Sequence, residues 1–249
     1  MTLARPLIAG NWKMNGVEAS LDEARTLAAL VDERPPAARV ALCPPATLIA
    51  RMADLLAGSG ILVGGQDCSR EAGGAFTGDV SADMLIDAGA RLVILGHSER
   101  REHRGETDAV VAAKVARAVA AGLEPIVCVG ESLKARQAGR AIAVVDGQVR
   151  ASLPDVLAGH PFAVAYEPLW AIGSGQIPEL GEIEAVHGAV RETLAAMFGP
   201  DGEGAPILYG GSVNGDNAQP ILKAREIGGA LVGGASLKAA QFARIIRAI

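Results

Sequence analysis

Aromatic side chains are scarce. Phe, Trp and Tyr together make up 3% of the 249 residues, although half the chain is hydrophobic. A large core must therefore be packed with Ala, Val, Ile and Leu. Cysteine is sparse too: Cys43, Cys68 and Cys128 are odd in number, far apart and form no CxxC pair. That argues against a disulfide framework and fits reduced thiols in the cytoplasm. The four histidines, His97, His103, His160 and His187, lack metal-ligand spacing, and neither a Walker A nor a GxGxxG motif occurs. No metal and no cofactor are expected. Strong charge of one sign is missing as well. A net charge of −5 with acids and bases interspersed argues against nucleic acid or an anionic membrane as main partner. No apolar run is long enough to span a bilayer. The start, MTLARPLIAGNWK, has no sustained apolar segment or small-residue cleavage site, so a cytoplasmic location is expected.

What the chain does have is a rhythm. Eight short apolar runs recur: LIAGNW, RVALCP, ILVGGQ, RLVILG, PIVCVG, FAVAYE, PILYGG and ALVGGA. They are continuous rather than alternating, which suits strands of a parallel sheet covered on both faces. Between them lie Ala-rich stretches with helical spacing, among them VEASLDEARTLAALVDE, TDAVVAAKVARAVAAG and GEIEAVHGAVRETLAAMF. SLKAAQFARIIRAI would be the closing helix. No Ser/Pro linker or low-complexity block interrupts them. This alternation predicts one α/β domain over residues 1–249, a (β/α)8 barrel with eight parallel strands. The longest non-periodic loop, GQDCSREAGGAFTGDV, follows the third run and should be functional or interfacial.

In such a barrel the site lies at the C-terminal strand ends. There the chain places Asn11 and Lys13, Gln66 and Asp67, His97 to Glu99, Glu167, and the glycine turns YGGS and VGGAS. Paired glycine turns on the last two strands let backbone N–H groups approach an anion, which points to a phosphate site. The alternative is a pair of tight turns. His97 closes a strand before a helix start, where positive partial charge favours a neutral imidazole; Ser98 can cap that helix. GHSER departs from the GxSxG elbow at Arg100, so Ser98 is not read as a nucleophile. Lys13 is the only one of five lysines at a strand end. It could hold phosphate, stabilise an oxyanion or form a Schiff base. Glu167 ends an apolar strand, where an unpaired carboxylate is costly, and is the candidate base. Its plain alternative is a loop glutamate before a proline.

Together GNWKMNG, GGAFTGDVS, GHSERR, PIVCVGES, AYEPLWAIGSG, YGGSV and VGGASL resemble the triosephosphate isomerase family, in order and spacing, across nearly the whole chain. The resemblance implies an enzyme of glycolysis and gluconeogenesis that interconverts dihydroxyacetone phosphate and D-glyceraldehyde 3-phosphate. It implies Glu167 as catalytic base, His97 as neutral electrophile and Lys13 as stabiliser of enediolate and phosphate charge, with Asn11 beside it. Gly173, Ser212, Gly233 and Gly234 match phosphate-gripping positions, and Glu99 a carboxylate supporting Lys13. Pro168, Leu169, Trp170, Ala171, Ile172, Gly173, Ser174 and Gly175 match a closing lid. The Gly-rich third loop matches the arm of a homodimer, with Thr77 reaching the partner's site near Asn11 and Lys13.

Two features depart from the family. The far hinge of the lid reads Gln176, Ile177, Pro178, and Pro178 fixes φ there. Asp67 stands where many members carry Asn, adding a negative charge near the dimer contact. Two other readings stay open: a Schiff-base aldolase using Lys13, and a barrel kept for binding alone.

Overall fold

The computed structural model describes residues 5–173 and 176–249. Eight parallel strands close in sequence order into a barrel. They are β1 (Leu7–Asn11), β2 (Arg39–Cys43), β3 (Ile61–Gly65), β4 (Leu92–Leu95), β5 (Glu124–Val129), β6 (Ala163–Tyr166), β7 (Ile207–Tyr209) and β8 (Gly229–Val232). Leu7 lies opposite both Arg39 and Gly229, so β1 joins the two ends of the sheet. Helices cover the outside. In chain order they are α1 (Leu21–Glu33), α2 (Ile49–Leu55), α3 (Ala82–Asp87), α4 (Ser98–Arg104), α5 (Asp108–Ala121) and α6 (Leu133–Gln137). Then come α7 (Ala141–Ser152), α8 (Leu180–Phe198), α9 (Pro200–Gly204), α10 (Ala218–Leu222) and α11 (Ala239–Ile246). Among the described residues, no helix is long and apolar enough to cross a membrane.

The continuous apolar runs have the cause the sequence suggested. All five residues of β1 are buried. Leu7 and Ala9 point into the barrel, where they meet Ile94, Ile126, Cys128 and Leu208; Ile8 points out against the helices. Among the described residues the barrel interior holds no aromatic ring, while Trp12, Tyr166, Tyr209 and Phe242 pack outside the strands. α5 shows how a helix is fitted to this surface. Val111, Val115 and Ala118 form its buried stripe, the Thr107 hydroxyl accepts the Val110 N–H at its start, and Gly122, at φ 86°, ends it.

Two charge clusters sit at opposite ends of the barrel. At the N-terminal end the Arg39 guanidinium forks onto both carboxylate oxygens of Glu124, joining the starts of β2 and β5. On the other side, Asp67 does not carry a bare charge. Its carboxylate meets Lys114 Nζ at 2.7 and 2.9 Å and Arg100 Nη2 at 2.7 Å, and both cations also contact Glu106 at 2.6 Å. Two acids thus face two bases, and the cluster is neutral. Burial nevertheless pushes the Asp67 carboxyl above its usual value, against the pull of Lys114 and Arg100.

The final segment divides more finely than expected. A 3-10 turn, Gly234–Leu237, precedes α11 proper. Here Ser236 donates to Gly233 O from both its N–H (2.8 Å) and its hydroxyl (2.7 Å), locking the turn.

Candidate active site

The strand ends open into a cavity of about 320 Å³ lined by Asn11, Lys13, His97, Glu167, Ser212 and Gly233, with Gly173, Gly210, Gly211 and Gly234 at its edge. Six residues distant in sequence are thereby brought together by β1, β4, β6, β7 and β8.

Glu167 follows β6 directly. Its N–H extends the ladder by donating to Val129 O at 2.7 Å. This close approach requires Gly130, because a Cβ there would lie 1.8 Å from Glu167 O. The side chain is 2% exposed. Its Oε2 accepts the Ser98 N–H at 2.9 Å; its Oε1 accepts the Ser98 hydroxyl at 3.2 Å and lies 3.0 Å from His97 Nε2. Burial would raise the carboxyl, but attraction and hydrogen bonding from His97 and the two Ser98 donors outweigh it and hold the group below the usual carboxylate range. Cys128 lies beneath as a neutral thiol, pushed well above its usual value by burial and then by the Glu167 charge.

His97 precedes α4, and its ring, rather than Ser98 as the sequence suggested, caps the helix. Its Nδ1 accepts the Glu99 N–H at 3.2 Å. A ring nitrogen that accepts carries no hydrogen, which assigns the ring hydrogen to Nε2, facing Glu167. Ser98 is spent on the base instead. The reason is positional: His97 stands one residue outside the helix with extended ψ (142°), the conformation a capping side chain needs.

Lys13 sits in the left-handed region at φ 53°. For a residue with a Cβ this costs roughly 1–3 kcal/mol unless neighbours enforce it. They do. Asn11 Oδ1 accepts the Lys13 N–H at 2.9 Å, Gln66 Nε2 donates to Lys13 O at 2.8 Å, and Lys13 Nζ meets Glu99 Oε1 at 2.6 Å. A Cβ on Gly233 would come within 3.5 Å of Lys13 Cε, which places the β8 glycine turn against the lysine. Ser212 donates its hydroxyl to Ala171 O at 2.7 Å, linking the β7 turn to the loop after β6. Gly173 lies at φ 67° on the cavity edge.

Of the loop expected to act as a lid, Leu169–Ala171 form a 3-10 turn after Pro168. Ser174 and Gly175 lie outside the described residues. Beyond them Pro178 is buried while Gln176 and Ile177 are exposed. Thr77 is exposed and is not brought to the 320 Å³ cavity within one chain. Beside it runs a second groove, of about 1000 Å³, bordered by Met14, Gln66, Phe76, Glu99 and Arg104.

Sequence reasoning missed the support beneath the loop. Glu131 is fully buried after β5, and its Oε1 gathers Trp170 Nε1 (3.0 Å), the Tyr166 hydroxyl (3.2 Å) and Arg136 Nε (3.1 Å). The strand-end position of Glu131, in PIVCVGES, was the available signal.

A triosephosphate isomerase family model matches residues 6–249. The chain is 58% identical to the triosephosphate isomerase of Caulobacter vibrioides, covering 100% of this chain and 98% of that one. It is 54% identical to that of Xanthobacter flavus, covering 98% of each. The crystal structure of triosephosphate isomerase from Bartonella henselae superposes with a TM-score of 0.92 at 43% identity, over 98% of each chain.

Proposed function

The chain belongs to the triosephosphate isomerase family and is an aldose-ketose isomerase of triose phosphates, and from that premise we propose which residues do the work. Glu167 takes a proton from C1 of dihydroxyacetone phosphate as electrons shift to the C2 carbonyl oxygen, giving an enediol(ate). A proton passes from O1 to O2 of the enediol(ate), and Glu167 returns its own proton to C2 as the C1–O1 carbonyl forms, giving D-glyceraldehyde 3-phosphate. The Nε2–H of His97 and the ammonium of Lys13 stabilise the developing oxyanion. Asn11 positions Lys13. Glu99 supports it. Gly173, Ser212, Gly233 and Gly234 receive the phosphate, where glycine N–H groups can close on an anion. The loop from Pro168 acts as a lid that excludes water from the intermediate.

One observation carries this reading: the buried Glu167 carboxylate lies 3.0 Å from Nε2 of His97, in one cavity with Lys13. A coupled assay of glyceraldehyde 3-phosphate isomerisation, run beside Glu167→Gln, tests it; equal turnover by both would overturn it. The aldolase reading needs a free amine at Lys13, whereas this lysine is ion-paired with Glu99 at 2.6 Å. Borohydride trapping with substrate should give no covalent adduct at Lys13.

The assembly we propose is a homodimer of one-domain barrels in the cytoplasm. The groove of about 1000 Å³ reaches Asn11 and Lys13. Met14, 96% exposed, and Phe76, 46% exposed, are large apolar groups left uncovered beside it. The loop after β3 of a second copy, with Thr77 near its tip, would cover both.

A further inference from the structure

One arginine behind the cavity wall ties together the backbone that carries His97 and Glu167. β4 pairs with β5 as far as Leu95 opposite Val127, and Gly96 and Cys128 are the next positions along the chain. Arg101, in α4, takes the carbonyls of both. Its Nε donates to Gly96 O at 2.8 Å and its Nη2 to Cys128 O at 3.2 Å. Gly96 leads directly into His97. The next carbonyl of β5, Val129 O, faces the other neighbouring strand and accepts the Glu167 N–H at 2.7 Å. Adjacent carbonyls of one strand therefore serve the imidazole side and the carboxylate side of the site.

The guanidinium is itself fixed in its plane. Nη1 meets Asp108 Oδ1 at 2.5 Å, at the start of α5. Nη2 also donates to the hydroxyl of the fully buried Ser152 at 3.0 Å, and that hydroxyl donates on to Asp108 Oδ1 at 2.8 Å. Gly96 is fitted to the same group. It stands at φ 66°, and a Cβ there would come within 3.1 Å of Nη2 and 2.9 Å of the Val111 side chain. A planar fork reaches two carbonyls and a carboxylate at once, which the single ammonium of a lysine does not. Its charge is matched by Asp108, and its remaining N–H groups are aimed at the backbone under the site. The Cys128 thiol, pushed up by burial and next by the Glu167 charge, is pulled the opposite way by Arg101.

We propose that Arg101 is a positioning residue for the isomerisation: by clasping Gly96 O and Cys128 O just past the end of the β4–β5 ladder, it sets where the His97 ring stands against the Glu167 carboxylate. The role rests on the catalytic reading of His97 and Glu167. Because Arg101 stands behind the cavity lining, it acts on alignment and not on phosphate binding.

Arg101→Lys keeps the charge and loses the fork. Its kcat should fall roughly ten- to hundredfold, the loss expected when a reacting group is displaced by about 1 Å, with KM and the inhibition constant of inorganic phosphate little changed. Ser152→Ala is the control, because it removes one contact of the guanidinium and leaves both carbonyl bonds and the Asp108 pair in place. It should lower the thermal midpoint and leave kcat within about twofold of wild type. The nitrogen resonances of the His97 ring, assigned with His97→Gln, should move in Arg101→Lys and hold in Ser152→Ala. Asp108→Asn loosens the guanidinium from its far end without altering Arg101, and should lower kcat roughly two- to fivefold at unchanged phosphate inhibition. An unchanged kcat in Arg101→Lys or, where that chain does not fold, in Asp108→Asn would overturn the proposal. An equal loss of kcat in Ser152→Ala, or unmoved His97 resonances, would do the same. The resonances need no turnover. A wild-type chain inactive on triose phosphates would therefore overturn the catalytic reading, and the resonances would still decide whether Arg101 sets the His97 ring.

Discussion

Ser98 donates to both oxygens of Glu167, its N–H to Oε2 at 2.9 Å and its hydroxyl to Oε1 at 3.2 Å. The Glu167 carboxylate is thus held at the start of α4, at the helix end that stabilises a carboxylate. The sign of the linkage follows. A carboxyl held below its usual value in the folded chain contributes stability that is fully present above the unfolded value of 4.5 and is lost as pH falls through the folded value. Ser98→Ala removes one donor and should shift the acid limb of kcat/KM upward toward pH 4.5. A pH profile of the free enzyme checks it; an unmoved limb would show that the hydroxyl does not tune the base.

Glu167→Gln keeps the volume of the side chain and removes its proton affinity. Turnover should fall by about 10²–10⁴-fold, with KM changed far less. Steady-state kinetics in both directions separate the two parameters.

Lys13→Ala should act on both binding and chemistry. Loss of a charge aimed at the developing oxyanion costs on the order of 10²–10³-fold in kcat. Its contact with the β8 glycine turn adds a rise in KM and weaker binding of inorganic phosphate. An unchanged phosphate dissociation constant would separate Lys13 from the anion site.

Stability should depend on a pair far from the chemistry. Glu124→Gln leaves the Arg39 guanidinium without its carboxylate at the N-terminal end of the barrel, where the two side chains are 26% and 11% exposed. Breaking a largely buried pair of this kind costs about 2–3 kcal/mol after allowance for exposure. For a chain of this size that lowers the thermal midpoint by roughly 5–10 °C. Calorimetry should show the shift while KM stays the same.

Met14→Glu places a charge on the groove proposed to receive a second copy. Sedimentation should then show monomers. Because Lys13 adjoins Met14, kcat should drop on the order of 10²-fold through misplacement. A fully active monomer would detach the groove from the site.

The barrel was legible because its cause is periodic. A strand buried on both faces must be apolar at every position, and the LIAGN of β1 is. The polar strand ends stood out for the complementary reason: Asn11, His97 and Glu167 interrupt apolar runs, where an unpaired polar group is costly. What could not be read was which neighbour each polar group would choose. His97 takes the capping role expected of Ser98 because the helix begins one residue earlier than the serine cap implied. Glu131 and Arg136 are separated in sequence from Trp170, and only the closed barrel brings them together. The effect of the Asp67 charge could not be read without Lys114 and Arg100 beside it.

Gly130 gives the site an uneven capacity for change. A side chain there would collide with the Glu167 carbonyl at 1.8 Å, so the wall on the β5 side cannot be rebuilt without displacing Glu167 itself. At the β8 turn, by contrast, a Cβ on Gly234 would meet nothing within 4 Å. Side chains are therefore accommodated at the β8 rim of the cavity far more readily than at its β5 wall, and redesign of the cavity has to begin there.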